Sequence, residues 1–169
     1  MPLFDRKFRA NKLRYGFQTG LAGVAMLIIL AYLKSISNAA VIASLGASTF
    51  IVFVLPQTES SRARFLIGGY VVGIVVGSAC HWLSRIVQLP DQIGLVPNIP
   101  GVVFGAGAVA LATFLMVVTN TEHPPAAGVA LGFVFLEQWY WLAPVAVLIG
   151  IVVLSLVRHV LRNSLRNLL

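Results

Sequence analysis

Ten residues, Thr119-Asn120-Thr121-Glu122-His123-Pro124-Pro125-Ala126-Ala127-Gly128, hold the side chains best suited to chemistry in this chain. They lie between two strongly apolar segments. A carboxylate and an imidazole there are costly in lipid and must face protein or water, which marks them as a functional-site candidate. Pro124 and Pro125 lack an amide proton and fix φ, so they suit the first turn of a helix and stop the preceding one from running on. The helix that they start presents free amides and the positive end of its dipole towards Asn120, Thr121, Glu122 and His123. A small anion is the natural ligand for such a tip. Glu122 would compete with it, cap the helix, pair with a basic residue or carry a proton. An unperturbed histidine side chain titrates near neutral pH, which makes proton coupling at His123 a further expectation. The alternative is a helix break whose polar groups only satisfy one another.

A second constellation is Ala43-Ser44-Leu45-Gly46-Ala47-Ser48-Thr49, with Ser44 and Ser48 four residues apart on one helical face. Close helix packing and the lining of a path are equally served by it. Asn38 stands just before this helix as an N-cap. The expected site therefore comprises Asn38, Ser44, Ser48, Asn120, Thr121, Glu122, His123, Pro124 and Pro125. In it, the helices that start near Ala39 and Pro124 point their amino ends at each other. Gly69, Gly73 and Gly77 form a stripe at a spacing of four, beside Gly68, that lets another helix approach closely.

The elements that position these residues must be membrane helices. Of 169 residues 59% are hydrophobic and 10% charged, against about a quarter charged in soluble domains. One all-α polytopic domain is expected over 1–169, with a basic amino terminus (1–15), membrane segments (16–161) and a basic tail (162–169). Apolar runs at 16–33, 39–55, 65–86, 101–118, 125–136 and 140–161 give about six segments. The fifth is far shorter than the roughly 20 residues of a straight crossing, and reads as a half-helix or a re-entrant segment.

The net charge of +7 gathers at the ends of the segments, in Arg6, Lys7, Arg9, Lys12, Arg14, Arg158, Arg162 and Arg166. That placement fits the lipid bilayer rather than nucleic acid, and puts both termini in the cytoplasm of an inner-membrane protein. Arg62 and Arg64 fall on the same side; Lys34, Asp91 and Glu137 fall on the other. Trp82, Trp139, Tyr140 and Trp141 look like interfacial anchors there, with His81 beside them. The connection 56–64 reads as a surface turn, with Glu59 pairing Arg62 or Arg64. No secretory leader is expected in the basic first fifteen residues. A single cysteine, Cys80, excludes an internal disulfide, and no metal-ligand spacing, phosphate loop or nucleophile–base pair is present. An enzyme, a metal or a cofactor is therefore not expected.

A weak repeat relates 20–27 to 105–112, Ala40 and Leu45-Gly46 to Ala126 and Leu131-Gly132, and 73–76 to 150–153. Small apolar residues produce such matches by chance. A genuine duplication of three segments would be inverted, as in many transporters.

The run Thr121-Glu122-His123-Pro124-Pro125-Ala126-Ala127-Gly128, with Ser44-Leu45-Gly46-Ala47-Ser48, Pro56 and the glycine-rich third segment, resembles the HPP family of integral membrane proteins. That family takes its name from the His-Pro-Pro triplet, and the resemblance covers most of the chain. It implies four or more spans. Some members in chloroplasts and cyanobacteria are linked to nitrite transport, so the resemblance implies nitrite as the anion. Some relatives add a soluble regulatory domain, which is not expected within these residues. The expected function is thus a transporter or channel for a small inorganic anion. A non-transporting scaffold that uses the glycine stripe for assembly, or a proton or cation path through Glu122, are the alternatives. A chain this small is a candidate homo-oligomer.

Overall fold

The computed structural model describes residues 7–8, 11–32, 38–93, 96–137 and 141–168. Among the described residues, the all-α fold is built on six long or medium α-helices: α1 (Lys12–Tyr32), α2 (Ala39–Val54), α3 (Ala63–Ile86), α4 (Ile99–Thr119), α5 (Pro124–Val134) and α6 (Leu142–Leu161). Among the described residues, α3, α4, α6 and all but the last residue of α1 are long and apolar enough to cross a membrane. Strands occur only as a two-residue antiparallel pair, Gln92–Ile93 against Val96–Pro97, in the long connection before α4. Lys34, Trp139 and Tyr140 lie outside the described residues, whereas Trp82 and Trp141 are exposed near one end, as interfacial anchors should be.

Local chemistry sets the helix limits. Asn38 caps α2, its side-chain oxygen accepting from the amides of Ala40 and Val41 at 3.1 and 3.2 Å. Asn98 and Asn120 bound α4, both in the left-handed region at φ 53°, which asparagine enters more readily than most residues. Arg64 reaches from the start of α3 to the carbonyl of Thr119 at 3.2 Å, where a cation suits the negative end of the α4 dipole. In the connection 55–62, Thr58 turns back onto the Leu55 carbonyl instead of capping α3, and Glu59 pairs with Arg62 at 3.6 Å.

Hydrogen bonds fix the direction of every helix. Gln18 on α1 donates to the carbonyl of Phe53 at the close of α2. Arg158 near the end of α6 donates to that of Pro56. One end of the bundle thus gathers the start of α1, the 55–62 connection, residues 119–123 and the close of α6. Lys12, Arg14, Arg62, Arg64, Arg158, Arg162 and Arg166 all belong to this basic end. Arg85, Asp91 and Glu137 belong to the opposite end.

The carboxyl tail is folded, not free. Leu165 and Leu168 are buried, and the amide of Leu168 donates to the carbonyl of Val54 at 2.9 Å. Gln18, fully buried, donates to the carbonyls of Phe53 and Arg166 at 2.6 and 2.9 Å and accepts from the Arg166 amide at 3.3 Å. Tyr15 donates to the carbonyl of Leu168. The tail therefore supplies one amide, that of Leu168, to the last turn of α2, whose carbonyls lack helical partners, and Gln18 meets a second.

The short fifth segment is a half-length helix, as its sequence implied. Its 11 residues cover about 16 Å, and they sit at the centre of the bundle with Ala126, Val129, Ala130, Gly132, Phe133 and Val134 buried. His123 at its start bonds the carbonyl of Ser60 at the basic end. At its close, the carbonyls of Val134 and Phe135 meet His81 and Asn38 at the opposite end. It spans the stretch of α2 from Asn38 to Ser48, about half the length of its longest neighbours. His81 is consequently a buried partner of α5 rather than an interfacial side chain.

Glycines make this central position possible. Cβ atoms added at Gly69 and Gly77 of α3 would come within 2.7 Å of the His123 Cβ and 2.8 Å of the Ala130 Cα, and one at Gly73 would strike the Ala126 carbonyl. On the other flank, Gly132 leaves room for Val41 and Gly128 for the Ser44 hydroxyl. The glycine stripe is thus spent on packing inside the chain, which removes the observation behind a scaffold reading. Asn38 joins α2 to the end of α5, so Asn38→Ala is expected to cost about 1 kcal/mol through the lost cap, measurable as a lowered melting temperature in detergent.

Candidate functional site

His123 is the N-cap residue of α5 and is fully buried. Its Nδ1 lies 2.9 Å from the carbonyl of Ser60, and its Nε2 lies 2.8 Å from the hydroxyl of Ser48. A carbonyl only accepts, so Nδ1 carries a proton. The Ser48 hydroxyl also lies 2.8 Å from the Tyr70 hydroxyl and 3.0 Å from the carbonyl of Ser44. Tyr70 is buried as well, its ring 5.7 Å from the imidazole between centroids.

Counting donors shows what this network can do. With neutral His123, Ser48 donates to Nε2 and Tyr70 donates to Ser48. With a protonated imidazole, Nε2 donates to Ser48, Tyr70 still donates to Ser48, and the Ser48 proton turns to the carbonyl of Ser44. Rotating one hydroxyl satisfies both protonation states, and no other atom need move. A buried polar network with every member paired also fixes the side chains in place.

Beside His123 opens a cavity of about 190 Å³ lined by Thr113, Met116 and Val117 of α4 and by Glu122, His123, Pro124 and Ala127. The Glu122 side chain is half-buried, and its carboxylate makes neither a hydrogen bond nor an ion pair among the described residues. Its backbone carbonyl accepts from the Ser60 hydroxyl at 3.3 Å, which ties the two connections together. Neither α2, α4 nor α5 contains an acidic, basic, cysteine, histidine or tyrosine residue. Glu122 and His123 are therefore the only titratable groups that line this cavity.

The nine expected residues divide between the two ends of the bundle. Ser44, Ser48, Thr121, Glu122, His123, Pro124 and Pro125 lie around the head of α5. Asn120 is close by but acts as the C-cap of α4, its amide 3.2 Å from the carbonyl of Val117. Thr121 bonds the Thr119 hydroxyl at 2.8 Å and packs on Gly68. Asn38 belongs to the far end, 3.4 Å from the Phe135 carbonyl. The amino ends of α2 and α5 do not face each other. The two helices are antiparallel, with Val41 beside Gly132, Ser44 beside Gly128 and Ser48 beside His123. Tip amides are also fewer than expected: the prolines have none, and that of Ala126 bonds the His123 carbonyl at 2.8 Å. Tyr70 and the Ser60 carbonyl were not foreseen. The only phenol within the glycine stripe was the available sign of the first; a main-chain carbonyl gives none.

A second cavity, of about 450 Å³, lies at the other end of α5. Ser84, Arg85, Asp91, Asn98 and Glu137 line it, together with the last residues of the helix, Val134 and Phe135. Its polar wall contrasts with the largely apolar cavity beside His123. The two cavities stand at opposite ends of the same short helix.

Comparison with known proteins adds a family. A protein described as a transmembrane protein from Dictyostelium discoideum is 30% identical over 152 residues, which is 86% of this chain and 50% of that protein. The chain thus spans half the length of that relative. No solved structure matches significantly. The family model for the HPP transmembrane region matches residues 7–167. Its defining triplet coincides with His123-Pro124-Pro125 at the head of the central helix, and the chain belongs to the HPP family of membrane proteins.

Proposed function

We propose that this non-enzymatic membrane chain moves a small inorganic anion across the bilayer, with nitrite as the first substrate to test. One observation carries the reading: a buried, doubly hydrogen-bonded histidine faces a cavity at the positive end of a short central helix. Helix starts favour negative charge, and solute sites in transporters recur at the ends of short helices inside a bundle. The polar cavity at the far end of α5 supplies the second opening that a path needs. Nitrite comes from the resemblance to family members linked to its transport. The basic end would face the cytoplasm of an inner membrane, since basic residues concentrate on that side.

Nitrite uptake into proteoliposomes tests this. Flux should exceed that of protein-free vesicles, and His123→Ala should lower it by about tenfold or more, as expected when a well-positioned polar network is lost. Equal flux with and without the protein would remove the proposal.

A further inference from the structure

The head of α5 also points to how charge is balanced during transport. We propose that each anion enters the cavity beside His123 together with one proton, which the Glu122–His123 pair takes up. This rests on the transport reading above.

The inference follows from what surrounds the cavity. Glu122 presents an unpartnered carboxylate to a space that is mostly apolar. An anion arriving there meets a like charge, and like charges close together disfavour the state in which both are ionised. A proton on either member of the pair removes the conflict. Placed on Glu122, it neutralises the carboxylate. Placed on His123, it supplies a positive charge beside the cavity. The hydrogen-bond network can be satisfied in the second state, because the Ser48 hydroxyl can accept from Nε2 as well as donate to it. Proton and anion therefore assist each other's binding, and by linkage each raises the affinity of the site for the other.

Other charges are poorly placed to take this role. Tyr70 on α3 meets the network through its hydroxyl. Helices α2, α4 and α5 present no titratable group. Glu59 and Arg62, in the connection that carries Ser60, pair with each other at the surface, and Arg64 holds the carbonyl of Thr119. A proton taken up at the cavity is thus assigned to Glu122 or His123, the two groups that line it. The balance is simple. One proton from water at the side of uptake and one anion load together, and both leave at the other side, so no net charge moves.

Proteoliposomes loaded with a pH-reporting dye decide the matter. A nitrite gradient should carry protons inward at a one-to-one ratio above the background of protein-free vesicles. The initial rate should rise by about tenfold for each unit of acidification below saturation, and a potential set with potassium and valinomycin should leave it unchanged. In Glu122→Gln the dependence on acidity should flatten and the proton-to-nitrite ratio should fall. Nitrite flux without accompanying protons in the wild type would overturn the coupling and leave the transport reading in place. Absence of nitrite flux overturns both. An unaltered ratio in a folded Glu122→Gln protein would also overturn the assignment to this pair.

Discussion

Gly73→Leu is expected to abolish the folded protein in detergent, or to lower its melting temperature so far that little survives purification. The added Cβ alone would fall 3.2 Å from the carbonyl carbon of Ala126 and closer still to its oxygen. Those atoms are the backbone of a central helix held on three sides, so they have nowhere to move. Overpacking of a well-packed interior costs about 1–3 kcal/mol even for small additions, and leucine adds three further carbons at the same point. Gly107→Leu is the control. A Cβ there meets nothing within 4 Å, and replacing a helical glycine gains up to about 1 kcal/mol of intrinsic propensity. Thermal melting and size-exclusion profiles of the two variants should therefore move in opposite directions. Similar profiles would show that α3 and α5 are not packed as described.

Gln18→Leu should release the carboxyl tail. Gln18 makes three hydrogen bonds, to the carbonyls of Phe53 and Arg166 and from the Arg166 amide, and leucine of similar size can make none. Leaving buried partners unmet costs about 1–3 kcal/mol for each group, so a loss of about 3 kcal/mol is expected after partial relaxation. Limited trypsin digestion reads it directly. Cleavage after Arg162 and Arg166 should quicken by more than tenfold in the variant, because cleavage requires the strand to leave its seat against Val54. Unchanged cleavage would mean that the buried Leu165 and Leu168, with the main-chain bonds of Leu168 to Val54 and Tyr15, hold the tail without Gln18.

Much of the architecture was legible in the chain itself. The long apolar runs place α1, α3, α4 and α6 to within a turn or so, because a membrane helix must be apolar over its whole span. Pro124-Pro125 mark the start of α5, and Asn38 the cap of α2, for reasons local to the backbone. What escaped was direction. The sequence of α5 contains nothing that says which end of α2 it meets, so the expected meeting of amino ends became an antiparallel pair. Its central position was obscured for a related reason. An 11-residue helix is too short for hydrocarbon by itself, and only the longer helices around it make the length workable. At the site, Ser48 and His123 were both recognisable, yet their pairing depends on that antiparallel register. Gln18 passed unnoticed because a lone glutamine near a helix start is ordinary until a distant tail folds onto it.

The shortness of α5 has an electrical consequence. If the cavities at its two ends open to water, as the transport proposal requires, the aqueous phases approach to about 16 Å along this axis, roughly half the thickness of the hydrocarbon. The membrane potential then falls mostly across one helix rather than across the whole bundle, giving a local field about twice that along α4. An ion that slipped past α5 without a compensating partner would sense nearly the full voltage, worth about 2.3 kcal/mol per unit charge at 100 mV.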